Sequence, residues 1–193
     1  TINGSTMSTT ASNTDITLSP HGTGTVKVPS GYEDRAGFTT DSLANKAYVD
    51  QVAQGLDTKP SCKVATTANL SATYSNGTAG VGATLTNSGT QAALSIDGIT
   101  MVAADRVLVK DQSTAAQNGI YVVTNIGSGS SNWILTRATP EDQPAELTGG
   151  SFVFVEQGTA NGDNGYVFTH NGSPTFGTTA LDVAQFSGAG QIT

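Results

Sequence analysis

Short apolar runs separated by turn residues fill the chain from about residue 61 onward. They are Lys63-Val64-Ala65, Ala83-Thr84-Leu85-Thr86, Leu94-Ser95-Ile96, Ile99-Thr100-Met101, Arg106-Val107-Leu108-Val109 and Ile120-Tyr121-Val122-Val123. Trp133-Ile134-Leu135-Thr136, Phe152-Val153-Phe154-Val155, Tyr166-Val167-Phe168 and Val183-Ala184-Gln185-Phe186 continue the series. Each is as long as a strand and too short for a helix. Between many of them stand Asp97-Gly98, Asn118-Gly119, Asn161-Gly162, Asn164-Gly165 and Asn171-Gly172. Both residues of such pairs tolerate positive φ, which suits tight hairpins, and Ile96-Asp97-Gly98-Ile99 is the sharpest hairpin signal. The pattern predicts a small antiparallel β-barrel or sandwich over residues 61–187. No helix longer than a turn or two is expected there, and Ser113 to Gln117 is the best place for one.

Two elements precede it. Within residues 1–40, Asp15-Ile16-Thr17-Leu18 and Thr25-Val26-Lys27-Val28 alternate with period two around Ser19-Pro20-His21-Gly22-Thr23-Gly24. This predicts a hairpin, which is marginal alone in water and needs a partner such as another copy of the chain. Within residues 41–60, Asp41 or Ser42 can cap a short helix and Gly55 can end it. Asn45, Val49, Val52 and Leu56 fall at the spacing of a coiled-coil seam. About two heptads do not hold a coiled coil by themselves, so the seam is expected to be one part of a trimer interface. The alternative is an amphipathic helix packing on its own domain. Residues 188–193 are expected to be a tail or a link to further chain. Thr1 at the start and the glycine-rich end both suggest cuts in a longer polypeptide, or processed ends.

Composition agrees with strands. Thr (30) and Gly (23) are the commonest residues among 193, and charged residues make up 12%, about half the usual share. Surface helices need the Glu, Lys and Arg that are scarce here. The net charge is −7 and Arg137 is the one Lys or Arg after Lys110, which argues against a nucleic-acid partner. No apolar run approaches the roughly 20 residues of a membrane helix, and the polar start lacks a signal-peptide core. Cys62 is the only cysteine, so no intrachain disulfide forms, and a packed small residue is the expected role.

The stretch Ala104-Asp105-Arg106-Val107-Leu108-Val109-Lys110-Asp111-Gln112, followed by Asn118-Gly119-Ile120-Tyr121-Val122, resembles a module of bacteriophage tail fibre proteins. Trp133-Ile134-Leu135-Thr136-Arg137-Ala138 and Val153-Phe154-Val155-Glu156-Gln157-Gly158 continue it in the same order. Lys46-Ala47-Tyr48-Val49-Asp50 is similar to a helix found before trimeric domains of such fibres. Gly22-Thr23-Gly24-Thr25-Val26-Lys27-Val28 resembles repeats in structural proteins of large contractile-tailed phages. The likeness spans most of residues 22–187. It implies an elongated homotrimer in the virion tail or baseplate that contacts other tail proteins, with no catalytic residues to carry over. Three departures stand out. Ala104 replaces a usual Gly, so the turn before Asp105 is expected to avoid positive φ. Tyr166 replaces a common Trp, and Thr139-Pro140-Glu141-Asp142 delays the acidic residue that usually follows.

Asp105, Arg106, Lys110, Asp111 and Arg137 form the most suggestive charged group. Turn anchors and ion pairs are the expected roles, ahead of a recognition patch or a catalytic carboxylate pair. Arg137, beside Trp133 in a chain so poor in charge, is expected to bond a carboxylate or carbonyl. Asn161-Gly162-Asp163-Asn164-Gly165 lacks the alternating acids and distal Glu of a calcium loop and reads as a turn. His21 and His170 have no ligand at metal spacing, which leaves one His per chain on a trimer axis as a minority possibility. The Asn-X-Ser/Thr matches at Asn3, Asn69, Asn76 and Asn171 matter only in a secretory pathway. No enzyme, cofactor or metal motif is present. The sequence therefore points to a structural fibre or baseplate segment joining tail hardware to an adhesive tip. The alternative is that the β-domain itself binds a host surface glycan through Trp133, Tyr74, Tyr166 and the loops around Asn161 and Asn171. A depolymerase would need paired carboxylates in a cleft.

Overall fold

The computed structural model describes residues 22–23, 57–139 and 141–188. The chain divides into two units, Thr1–Gln54 and Gly55–Thr193. In the first, Gly22 and Thr23 form an exposed turn with Gly22 at φ +64°. The hairpin expected over residues 15–28 and the helix with Asn45, Val49, Val52 and Leu56 lie outside the described residues, as do residues 189–193.

The second unit is mainly β. Its strands are β1 (Val64–Ala65), β2 (Ala72–Ser75), β3 (Thr84–Asn87), β4 (Ser95–Ile96), β5 (Ile99–Thr100) and β6 (Arg106–Val109). After a single 3-10 turn at Ala115–Gln117 come β7 (Gly119–Asn125), β8 (Ile134–Arg137), β9 (Phe152–Val155), β10 (Asn164–Phe168) and β11 (Val183–Gly188). They form a six-stranded sheet in the order β1-β6-β7-β8-β3-β2, a three-stranded sheet β11-β10-β9 and the β4-β5 hairpin. None closes into a barrel, so the barrel alternative is set aside in favour of packed open sheets.

The central sheet is covered on both faces, which explains why β6 and β7 read as nearly continuous apolar runs instead of alternating ones. On one face Leu108 and Ile120, paired in register, meet Val153, Val155, Tyr166 and Phe168 of the three-stranded sheet. On the other, Val107, Tyr121, Val123, Leu135 and Leu85 pack beneath Leu94, Ile96 and Met101 of the hairpin region. A register slip of one residue would exchange the two sets, so the pairing is strongly specified.

Pairing departs from the expected antiparallel scheme at one place. Β1 runs parallel to β6, and the residues just before it bridge β9 in parallel through Thr58–Phe152 and Cys62–Val155. Residues 58–65 therefore run along the edge of the small sheet and then along the edge of the large one. Paired Asn/Asp-Gly steps also diverge. Asp97 (φ +49°) and Gly98 (φ +81°) make the expected two-residue hairpin. Asn164-Gly165 instead lies inside β10, and Asn118 has φ −62° at the end of the 3-10 turn. Ala104 takes φ +71°, which overturns the expectation of a turn without positive φ. Its N–H donates to Val123 O at 2.9 Å, and Val102 N–H donates to the Asp105 carboxylate at 2.7 Å. These bonds hold the alanine where glycine would sit without strain.

Candidate functional site

Asp105 and Arg106 fasten the leading segment to the central sheet. The Asp105 carboxylate accepts from Lys63 Nζ at 2.8 Å as well as from Val102 N–H. Arg106 donates from Nε to Ser61 O at 3.2 Å and from Nη2 to Glu141 Oε1 at 2.9 Å and Pro60 O at 3.4 Å. The Glu141 side chain is fully buried, and its Oε2 has no partner. Burial pushes its pKa up, and the hydrogen bond and charge of Arg106 pull the other way. Cys62 lies between these groups with no exposed surface, and burial pushes its thiol up to about 12. A protonated, enclosed thiol offers no nucleophile.

Asp111 anchors the other end of β6. Its Oδ2 accepts from Thr66 Oγ1 at 3.0 Å and from Lys110 Nζ at 3.0 Å, and Thr66 Oγ1 in turn accepts Lys110 N–H at 3.0 Å. The bend that follows is fixed by Asn118, whose Oδ1 accepts Gln112 N–H at 2.9 Å while its Nδ2 donates to Leu181 O at 3.2 Å. Asn118 thus ties the 110–118 loop to the segment before β11.

Arg137 is 2% exposed and has no carboxylate beside it. Its guanidinium lies 4.9 Å from the Tyr121 ring centroid and 4.5 Å from that of Phe176. Nη2 donates to Asn118 O at 3.1 Å and to Tyr121 Oη at 3.0 Å; Nε and Nη1 have no partner. The bond to a carbonyl is one of the two expected alternatives, and two aromatic faces stand in for the carboxylate. Gly119 makes the arrangement possible, because a Cβ there would lie 2.1 Å from Nη1.

The oxygen-rich loop is a pair of linked turns. Tyr166 Oη donates to Asn161 Oδ1 at 2.6 Å, and Asn161 Nδ2 donates to Thr66 O at 3.2 Å. Asp97, across from it in the β4-β5 hairpin, accepts Ala160 N–H at 2.9 Å and Asn161 N–H at 2.8 Å. The side chains proposed for sugar stacking are packed: Trp133 is 8% and Tyr166 is 4% exposed, and half-buried Tyr74 donates to Asn76 Oδ1 at 2.7 Å. His170 Nε2 is 3.0 Å from Leu147 O, while His21 lies outside the described residues. Among the described residues no cluster of three or more His, Cys, Asp or Glu could hold a metal ion, and no helix is long and apolar enough to cross a membrane.

Asp105, Arg106 and Asp111 therefore meet the leading segment at β6, and Arg137 sits apart among aromatic rings. Sequence reasoning missed Glu141, Asn118, Asp97 and Phe176, all of which act through contacts distant in sequence. Only Asp97-Gly98 and Asn118-Gly119 carried a local signal, and that signal pointed to turns. Comparison of the chain with protein-family models, curated proteins and solved structures finds no match.

Proposed function

We propose that the chain is a structural, non-enzymatic segment of a bacteriophage tail fibre or tail-fibre-like baseplate protein, working as a homotrimer. In the virion tail it joins tail hardware to a distal adhesive region. The reading starts from the ordered stretches 104–112, 118–122, 133–138 and 153–158. One observation carries it further: these stretches supply β6, β7, β8 and β9, and their charged side chains serve to fasten loops. Asp105 and Arg106 hold residues 60–63, Asp111 holds Thr66, and Arg137 holds the Asn118 carbonyl. Such a unit resists pulling better than it turns over a substrate. The short seam Asn45, Val49, Val52 and Leu56 supplies the trimer contact in this reading.

The glycan-binding alternative loses its aromatic platform, since Trp133 and Tyr166 are core residues. The proposal is tested by raising antibodies against the chain and imaging virions from the source that encodes it. Label on tails or baseplates is the expected result; label on capsids, or on no virion, refutes the assignment.

A further inference from the structure

The three-stranded sheet has one buried face and one open one. Val153, Val155, Tyr166 and Phe168 point into the core. On the opposite face Phe152 pairs with Val167 and Val167 with Ala184, while Phe154 lies across from Gly165. Phe186 adds an edge-to-face contact to Phe152, with ring centroids 5.9 Å apart. Phe186 keeps 71% of its surface exposed and Phe154 keeps 40%. None of Phe152, Phe154, Val167, Ala184 and Phe186 carries a charge, and β11 contains no Lys, Glu or Pro of the kind that blunts an edge strand. Isolated exposed apolar residues are ordinary, whereas three phenylalanines on one sheet face mark a contact surface.

We infer that this face packs against a second copy of the chain. Charge selects that occupant. Each copy carries a net charge of −7, so two copies repel over most of their surfaces, and a charge-free aromatic face is where they can approach without that penalty. A foreign partner recognised by charge would find nothing here to pair with. The two most exposed phenylalanines leave roughly 200 Å² of apolar surface to cover, from about 150–250 Å² per aromatic side chain. That is well below the ~800 Å² per partner of a standard interface. The face is therefore one contact within a larger assembly. The inference rests on the homotrimeric reading and adds a second contact to it, in the β-domain.

The test compares sedimentation of the full chain with that of the Phe154→Asp/Phe186→Asp double variant, using Ile126→Asp as a control at a different exposed apolar position. Circular dichroism and thermal melting report folding, and Phe186→Ser serves as a milder variant should the double variant melt early. The expected result is an oligomeric wild type and control, with dissociation of the double variant weakened roughly tenfold or more, the effect of losing a buried aromatic anchor. A wild type and double variant that are equally oligomeric overturn this face while leaving the trimer standing. A wild type that sediments as a single chain overturns both. Unchanged assembly with lowered melting temperature shows the face covered by the chain's own segments, which also overturns the inference.

Discussion

Gly119→Ala is expected to be among the most damaging single-methyl changes in the β-domain, and its cost is expected to depend on Arg137. Gly119 sits at φ +142°, where a side chain costs about 1–3 kcal/mol. The added Cβ would also lie 2.1 Å from Arg137 Nη1 and 3.1 Å from Cζ. The guanidinium cannot slide aside freely, because Tyr121 and Phe176 flank it at 4.9 and 4.5 Å. Moving it stretches the 3.1 Å bond to Asn118 O and the 3.0 Å bond to Tyr121 Oη. Bonds from a charged donor contribute about 1.5–3 kcal/mol each, so losing one brings the total to about 4 kcal/mol. For a chain of this size that lowers Tm by roughly 10–15 °C. Arg137→Met removes the clashing atom. Replacing a buried charge that lacks a carboxylate by an apolar side chain is expected to be within about 1 kcal/mol of neutral. In that background Gly119→Ala retains only its backbone strain, so a double-mutant cycle in urea should give a coupling of about 2 kcal/mol. Equal costs in both backgrounds, within about 0.5 kcal/mol, would refute the claim that Gly119 exists to admit Arg137.

Other outcomes follow from the same contacts. Ala104→Gly should stabilise by about 1 kcal/mol in thermal melts, since glycine relieves the strain at φ +71°. Asp97→Ala should cost about 2–4 kcal/mol through its two backbone N–H bonds; Asp97→Asn, which keeps an acceptor and tolerates positive φ, should recover at least half in a urea titration. Cys62, with its thiol pushed up to about 12 by burial, should be silent to a chromogenic disulfide reagent at pH 8 in the native protein and titrate as one thiol in guanidinium. Asp57 has its pKa lowered: burial alone would raise it, but its bonds to Lys59 and Ser151 prevail. A lowered folded-state pKa gives stability above the unfolded value of 3.8 that is lost as pH falls through the folded value. Asp57→Asn should therefore cost under about 1 kcal/mol at pH 7, as for exposed pairs, and nothing well below pH 3.8.

Ten of the eleven strands fall on apolar runs that the sequence marks as strands, because each places at least one side chain in a core. The exception, β2, reads Ala-Thr-Tyr-Ser and stands at an edge where half its residues face water, so it carries little apolar signal. The parallel pairing of β1 with β6 was not legible, since a two-residue strand has no pattern to show direction. Turn chemistry was legible at Asp97-Gly98, where both residues take positive φ, and misleading at Asn118-Gly119 and Asn164-Gly165. There Gly119 admits a side chain from β8, and Asn164 and Gly165 belong to β10. Ala104 shows the same limit from the other side: tertiary hydrogen bonds impose a conformation its residue type disfavours. The anchoring roles of Asp105, Arg106 and Asp111 could be anticipated from scarcity of charge. Their partners could not, because Lys63, Glu141 and Thr66 lie 42, 35 and 45 residues away in sequence.

The mass of the intact chain in solution tests the proposed role most directly. Light scattering coupled to size exclusion at micromolar concentration should give three times the 19.5 kDa chain, about 58 kDa, unchanged on dilution tenfold. A stable species of 19.5 kDa at that concentration would contradict a homotrimeric fibre segment.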